Sequence, residues 1–243
     1  MPYYYMDYWY LVLVVPAIAF ALIAQGMVSG RFKKYSKVRS YRGVTGAQAA
    51  ERVLQANGVY GVKIEKVRGN LTDHFDPRAN VIRLSAGVHD SESVAAVGIA
   101  AHEAGHAVQH AQEYAPIKIR QSIIPVTQIG STLSMPLILI GVIVMSGASG
   151  SPGSFDFGNI LLNAGIILFT TVALFQVVTL PVEFNASRRA MDTIMETHIL
   201  DEEELNGAKK VLWAAAMTYV AALAVSIAQL FRILMVTKGG SRR

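Results

Sequence analysis

Between Gln121 and Val182 the only charged side chain is Asp156; between Val211 and Thr237 it is Arg232, and from Met1 to Gly30 it is Asp7. A chain whose charges are shut out of three long blocks has few folds open to it. The charges crowd instead into residues 31–120 and 183–210. Hydrocarbon-seeking blocks therefore alternate with water-seeking ones, the pattern of a protein threaded through a bilayer. Composition agrees: 52% of residues are hydrophobic and 16% charged, against about 25% charged in soluble domains. A disordered chain is excluded, and an ordinary soluble enzyme fits poorly. No cysteine is present, which removes disulfides, thiolate nucleophiles and Cys-ligated metals. Any transition-metal site must be built from His, Asp and Glu.

A membrane-crossing helix needs roughly 20 apolar residues. Residues 9–28, 123–145 and 159–180 meet that requirement, with Pro125 and Pro136 inside the second stretch. Residues 213–236 form a weaker fourth, interrupted by Thr218, Ser226, Gln229 and Arg232; a buried helix of the water-seeking part is the other reading for it. Backbone groups in lipid must pair internally, so these stretches read as helices. Arg31, Lys33, Lys34, Lys37, Arg39 and Arg42 follow the first stretch without an intervening acid. Positive flanks stay cytoplasmic, which puts the amino terminus, with Tyr3, Tyr4, Tyr5, Tyr8 and Tyr10, outside at the interface. Because those charges follow the apolar run rather than precede it, a cleaved signal peptide fits badly. The Gly/Ser-rich stretch 146–158 suits a short outer loop, and the tail with Lys238, Arg242 and Arg243 then falls outside, against the usual bias. Attraction of the basic run to anionic lipid accounts for it more simply than nucleic-acid binding.

The water-seeking block opens with an amphipathic helix over residues 45–57, capped by Thr45 or Gly46 and closed by Gly58. Residues 62–67 alternate as a short strand, Asp76-Pro77-Arg78-Ala79-Asn80 marks a turn, and residues 81–84 form a second strand, with pairing to an extended substrate and a plain sheet strand as its two readings. Ser85-Ala86-Gly87 breaks that strand. Asp90 or Ser91 caps a long helix reaching Gln112, too acidic to be a membrane span.

On that helix lies His102-Glu103-Ala104-Gly105-His106. Residues four apart share a helical face, so both imidazoles can converge on one ion. A glutamate beside the first histidine reaches the edge of the same site, where it can take a proton from water. Zinc is the default metal for such donors, and it brings the pKa of water in its shell towards about 7. Flanking small residues, Ala100, Ala101, Ala104, Gly105 and Ala107, let another helix or a substrate come close.

A catalytic zinc site needs a third protein ligand and one open position. An extended motif ending in a third histidine would need Gly at 109 and His at 112; Gln109 and Gln112 stand there. His110 is off the spacing and reads as a surface residue. Glu183 in Pro181-Val182-Glu183-Phe184-Asn185 is the leading candidate. Pro181 would end the third span or open the next helix, placing Glu183 in a first turn where its charge meets the helix dipole. Glu196, Glu113 and the run Asp201-Glu202-Glu203-Glu204 are rivals, the run reading more simply as a solvated helix start.

With Leu71-Thr72-Asp73-His74-Phe75-Asp76-Pro77-Arg78, Val81-Ile82-Arg83-Leu84-Ser85, His102-Glu103-Ala104-Gly105-His106-Ala107-Val108-Gln109, residues 181–190 and Leu205-Asn206-Gly207-Ala208-Lys209-Lys210-Val211-Leu212, most of the chain resembles the YugP-like membrane zinc metallopeptidases, relatives of the HtpX and CAAX-prenyl-protease group of gluzincins. The resemblance implies His102, His106 and Glu183 as ligands of one catalytic zinc ion, and Glu103 as general base and acid. The wider group often carries an Asp where Ser187 stands, as a partner orienting a ligand histidine; Ser187 can hydrogen-bond but brings no charge.

The expectation is thus a mainly α, multi-span integral membrane protein with a small α+β catalytic domain of zincin-like, gluzincin type. Residues 1–30 hold a membrane helix, 31–120 the cytoplasmic catalytic part, 121–182 a membrane hairpin, 183–212 the third-ligand region, and 213–243 a fourth membrane helix and basic tail. The expected function is a zinc-dependent endopeptidase of the plasma membrane, with its site on the cytoplasmic side. Its partners would be protein or peptide substrates and lipid, with self-association or a membrane-protein partner compatible and no nucleic acid. His74 and Arg188 are the candidates to hold the developing oxyanion, their plainer readings being a turn residue for His74 and a lipid-headgroup or carboxylate partner for Arg188. The competing reading is a non-catalytic membrane adaptor that keeps zinc for structure; its site would need no Glu103.

Overall fold

A computed structural model describes residues 8–70, 72–147 and 152–240. Tyr3, Tyr4, Tyr5, Leu71, Arg242 and Arg243, and residues 148–151 of the Gly/Ser-rich stretch, lie outside the described residues. A π-helical turn, Tyr10–Val14, leads into α1 (Val15–Tyr35), followed by α2 (Gly46–Ala56), β1 (Lys63–Val67), β2 (His74–Asp76), β3 (Val81–Ser85), α3 (Ala86–His89), α4 (Val94–Ala111), α5 (Ala115–Gly147), α6 (Pro152–Glu196) and α7 (Glu202–Gly240). The protein is mainly helical, and four helical stretches are long and apolar enough to cross a membrane: Tyr10–Tyr35, Ala115–Gly147, Gly153–Glu196 and Glu202–Thr237. All four outrun the apolar stretches read from the sequence, since each helix continues into charged residues.

The chain divides into two compact units. One comprises Met1–Ala21, Ile119–Thr179 and Tyr219–Arg243; the other comprises Leu22–Lys118 and Leu180–Thr218. In the first, α5 and α6 meet backbone to backbone. A Cβ on Gly141 would lie 2.7 Å from the Leu162 nitrogen, so only glycine fits there, the small-residue packing by which helices associate in lipid. Ile138, Leu162 and Ile233 are buried together. The Arg232 guanidinium, which interrupts the fourth apolar stretch, lies 5.2 Å from the centre of the Tyr10 ring, a cation–π contact that eases its placement among apolar neighbours.

The second unit holds the sheet and the main core, where Val53 and Leu54 of α2, Ile82 and Leu84 of β3, Val97 and Ala104 of α4, and Ile194 of α6 are buried together. Thr45 caps α2 through a reciprocal pair: Gln48 N–H donates to Thr45 Oγ1 and Thr45 N–H to Gln48 Oε1. This is the capping box. The sheet order is β1–β3–β2, with β1 parallel and β2 antiparallel to β3. β3 is therefore central, paired on both sides, which corrects the substrate-pairing reading and leaves the plain sheet strand. Val81, Ile82, Leu84 and Ser85 are buried and Arg83 is half-buried, so both faces of the strand are largely covered, as in an interior strand. Residues 74–76, which lack clear alternation, form the edge strand β2 instead.

Two further expectations are corrected. The cap of α4 is Ser93, whose Oγ accepts from Ala96 N–H. Asp90 is engaged with Lys66 and His89, and Ser91 Oγ donates to Ser93 Oγ. Pro181 neither ends nor opens a helix, because α6 runs through it for 45 residues. Proline removes one helical N–H, yet the helix continues, so Glu183 lies mid-helix and not in a first turn. The stretch 146–158 is likewise helical from Pro152 onward.

Candidate functional site

α4 is buried over most of its surface, from Val94 through Gln109. A helix apolar almost all round must be surrounded, and the neighbours of α4 include α2, α3, β2 and β3. Its small residues set how closely a neighbour can come. At Gly105, between the two histidines, a Cβ would lie 2.5 Å from the Ala186 carbonyl oxygen of α6. The α6 backbone thus rests on the α4 backbone. Glu183, three residues before Ala186, is carried to the histidine face and is 2% exposed.

There the donors converge. Glu183 Oε2 lies 3.2 Å from His102 Nε2 and 3.5 Å from His106 Nε2, and the imidazole rings meet edge to face at 4.7 Å. Ligand atoms about 2.0–2.1 Å from a tetrahedral zinc sit roughly 3.3 Å from one another. Two nitrogens and a carboxylate oxygen at these separations are therefore a set that zinc fits, and the three residues form a group able to hold a metal ion. Burial disfavours the His106 cation, but the Glu183 carboxylate beside it outweighs that, and the His106 pKa is raised.

Each histidine is held at its far nitrogen. His102 Nδ1 lies 3.0 Å from Ser187 Oγ, and His106 Nδ1 lies 3.0 Å from Gln109 Oε1. The second contact has a defined direction. Gln109 Nε2 donates to the Val182 carbonyl at 2.8 Å and to Asn185 Oδ1 at 2.9 Å. Asn185 Oδ1 also accepts from Arg189 Nε. A carbonyl and an oxygen already facing a guanidinium can only accept, so the amide end of Gln109 is fixed and its oxygen faces His106. His106 therefore donates through Nδ1–H, which leaves Nε2 as the ring atom that faces Glu183 and that a metal would use.

Glu103, half-buried, is not one of the three clustered donors: its Oε2 accepts from Phe75 N–H of β2 at 3.0 Å. His110 is exposed, with its ring 5.8 Å from that of Phe75. His74 is exposed, and its Nδ1 meets the Thr72 carbonyl at 2.8 Å; because a carbonyl only accepts, Nδ1 is the donor and Nε2 of the neutral ring is not. Arg188 is exposed and makes no hydrogen bond or ion pair among the described residues. The rival carboxylates lie elsewhere. Glu113 pairs with Lys118, Glu196 is exposed, and Asp201 and Glu204 cap the start of α7 reciprocally.

Sequence reasoning missed Gln109, Asn185, Arg189 and the Phe75 amide. Gln109 had served only to exclude a three-histidine motif. Its spacing, three residues after His106 and so on the same helical face, was the available signal.

A family model described as "Putative neutral zinc metallopeptidase" matches residues 10–238. The chain is 42% identical over 231 residues, 95% of its own length and 97% of the other's, to "Putative membrane protease YugP" of Bacillus subtilis (strain 168). No solved structure matches it.

Proposed function

The chain belongs to this neutral zinc metallopeptidase family and is a multi-pass membrane protein; from that premise we propose that it is a membrane endopeptidase, of gluzincin type, that hydrolyses peptide bonds of membrane or membrane-proximal proteins. The observation that carries the reading is the convergence of His102 Nε2 and His106 Nε2 on Glu183 Oε2, which together would hold one zinc ion. Zinc bound there supplies Lewis acidity, polarising the scissile carbonyl and acidifying the attacking water.

The rest is work for the chain's own groups. Glu103 takes the proton from the attacking water and returns it to the leaving amine. The Phe75 N–H holds Oε2 of that carboxylate and leaves Oε1 to exchange protons. Ser187 and Gln109 keep the two imidazoles aimed. β2, an edge strand hydrogen-bonded to Glu103, is the sheet edge at which an extended peptide would add, gaining main-chain hydrogen bonds without reading much sequence. Arg188 is a cation free to meet the developing oxyanion; His74, with Nδ1 committed to Thr72, serves less well. The run from Arg31 to Arg42 places the site on the cytoplasmic side of the plasma membrane in this reading.

Glu103→Gln tests the proposal. The amide keeps the shape of the side chain but cannot take a proton. Purified variant should retain zinc at the parent stoichiometry and lose cleavage of a denatured reporter by about 100-fold or more. Parent-level cleavage would sink the mechanism, and a non-catalytic zinc adaptor would show no cleavage in either form.

A further inference from the structure

A cavity of about 440 Å³ lies in the second unit, apart from the three metal-ligand candidates. Arg31, Lys209 and Lys210 line it, and no carboxylate does. Among the described residues none of the three cations has an ion pair or hydrogen bond through its side chain. The rest of the lining is Ser187, Asn206 and an apolar set that includes Phe184, Trp213 and Ala216; Phe184 is 39% exposed and Trp213 55% exposed.

The level of this cavity along its helices is written in the sequence. In α1 the apolar run ends at Gly30 and charge begins at Arg31. In α6 the apolar run ends at Val182, just before Glu183 and Phe184. In α7 charge ends at Lys210 and the apolar run begins at Val211. All three transitions reach one cavity, so it stands where hydrocarbon gives way to headgroups. Tryptophan is the residue enriched at that depth.

We infer that this cavity is a binding site for an anionic phospholipid, with its phosphate among Arg31, Lys209 and Lys210 and an acyl chain against Phe184, Trp213 and Ala216. Three cations lining one cavity with no carboxylate among them call for an anion, and the apolar lining residues select one joined to hydrocarbon over free phosphate. The substrate is not the better occupant. Ser187, which also lines the cavity, meets His102 at Nδ1, whereas the metal-facing atom of His102 is Nε2. The cavity therefore lies behind His102. A lipid seated there touches the residue that orients this imidazole. The site rests on the membrane reading alone and stands whether or not the chain cleaves peptides.

The chain has two tryptophans, Trp9 and Trp213, so the full-length Trp9→Phe protein reports on Trp213 alone. Reconstituted with phosphatidylglycerol or phosphatidylcholine brominated on the acyl chains, it should show saturable quenching by phosphatidylglycerol at a mole fraction on the order of tenfold lower. The combined R31Q, K209Q and K210Q substitutions should abolish that preference, and R31K, K209R and K210R should retain it, which separates charge from misfolding. R52Q, K63Q and R68Q remove the same charge from exposed positions of α2, β1 and the segment after β1, and should leave the preference intact. Equal quenching by both lipids, or equal loss in both neutralised proteins, would overturn the inference. So would displacement of the lipid by millimolar inorganic phosphate, which would make this a free-phosphate site, or by a reporter peptide, which would make it a substrate subsite.

Discussion

Gln109 Oε1 faces His106 Nδ1 at 3.0 Å, and what the other end of Gln109 meets settles which way that hydrogen bond runs. Gln109 is 0% exposed, so water cannot replace it. Gln109→Leu fills similar space but leaves the Nδ1–H of His106 unpaired and takes the second donor from the Val182 carbonyl. An unsatisfied buried group costs about 1–3 kcal/mol, and loss of a partner behind a metal-binding histidine typically costs 10–100-fold in affinity. Chelator competition should show that loss of zinc affinity, alongside a lower midpoint in denaturant. Unchanged affinity would mean that Gln109 does not orient His106.

The closeness of α4 and α6 rests on Gly105. Gly105→Ala puts a methyl group 2.5 Å from the Ala186 carbonyl, so the helices must separate and carry Glu183 away from the imidazoles. Overpacking of this kind costs about 1–3 kcal/mol. We expect a lower melting temperature together with substoichiometric zinc by elemental analysis. Gly87→Ala is the control: nothing lies within 4 Å of its Cβ position, and replacing a helical glycine there should be neutral or stabilising by up to about 1 kcal/mol.

The proposed third ligand, Glu183, is open to direct comparison. Glu183→Gln keeps the volume of the side chain and removes its charge, and zinc content should fall well below one per chain. Glu113→Ala and Glu196→Ala, at exposed positions away from the cluster, should bind as the parent does. Full zinc occupancy in Glu183→Gln would reassign the ligand.

Ser187 contacts His102 without adding charge. Ser187→Ala should weaken zinc binding by about tenfold. Ser187→Asp should strengthen it relative to Ser187→Ala, since a carboxylate accepting from Nδ1–H makes the imidazole a better donor. Equal affinities for the two variants would show that the Ser187 contact carries no weight.

Sequence alone determined the features that depend on near neighbours. Charge-free runs marked the four apolar helices because a bilayer excludes charge one segment at a time. The four-residue spacing of His102 and His106 put both on one face because helical periodicity is local, and Thr45 or Gly46 ahead of an apolar face marked the start of α2 for the same reason; the reciprocal pair of Thr45 with Gln48 came from the structure. Only the tertiary structure decided the order β1–β3–β2, the passage of α6 through Pro181, and the pairing of Glu103 with the Phe75 amide. It also decided which of several carboxylates meets the imidazoles, a contact between residues 81 apart that exists because Gly105 lets the Ala186 backbone come close. Such contacts follow from how whole elements pack, and no window of neighbouring residues contains that information.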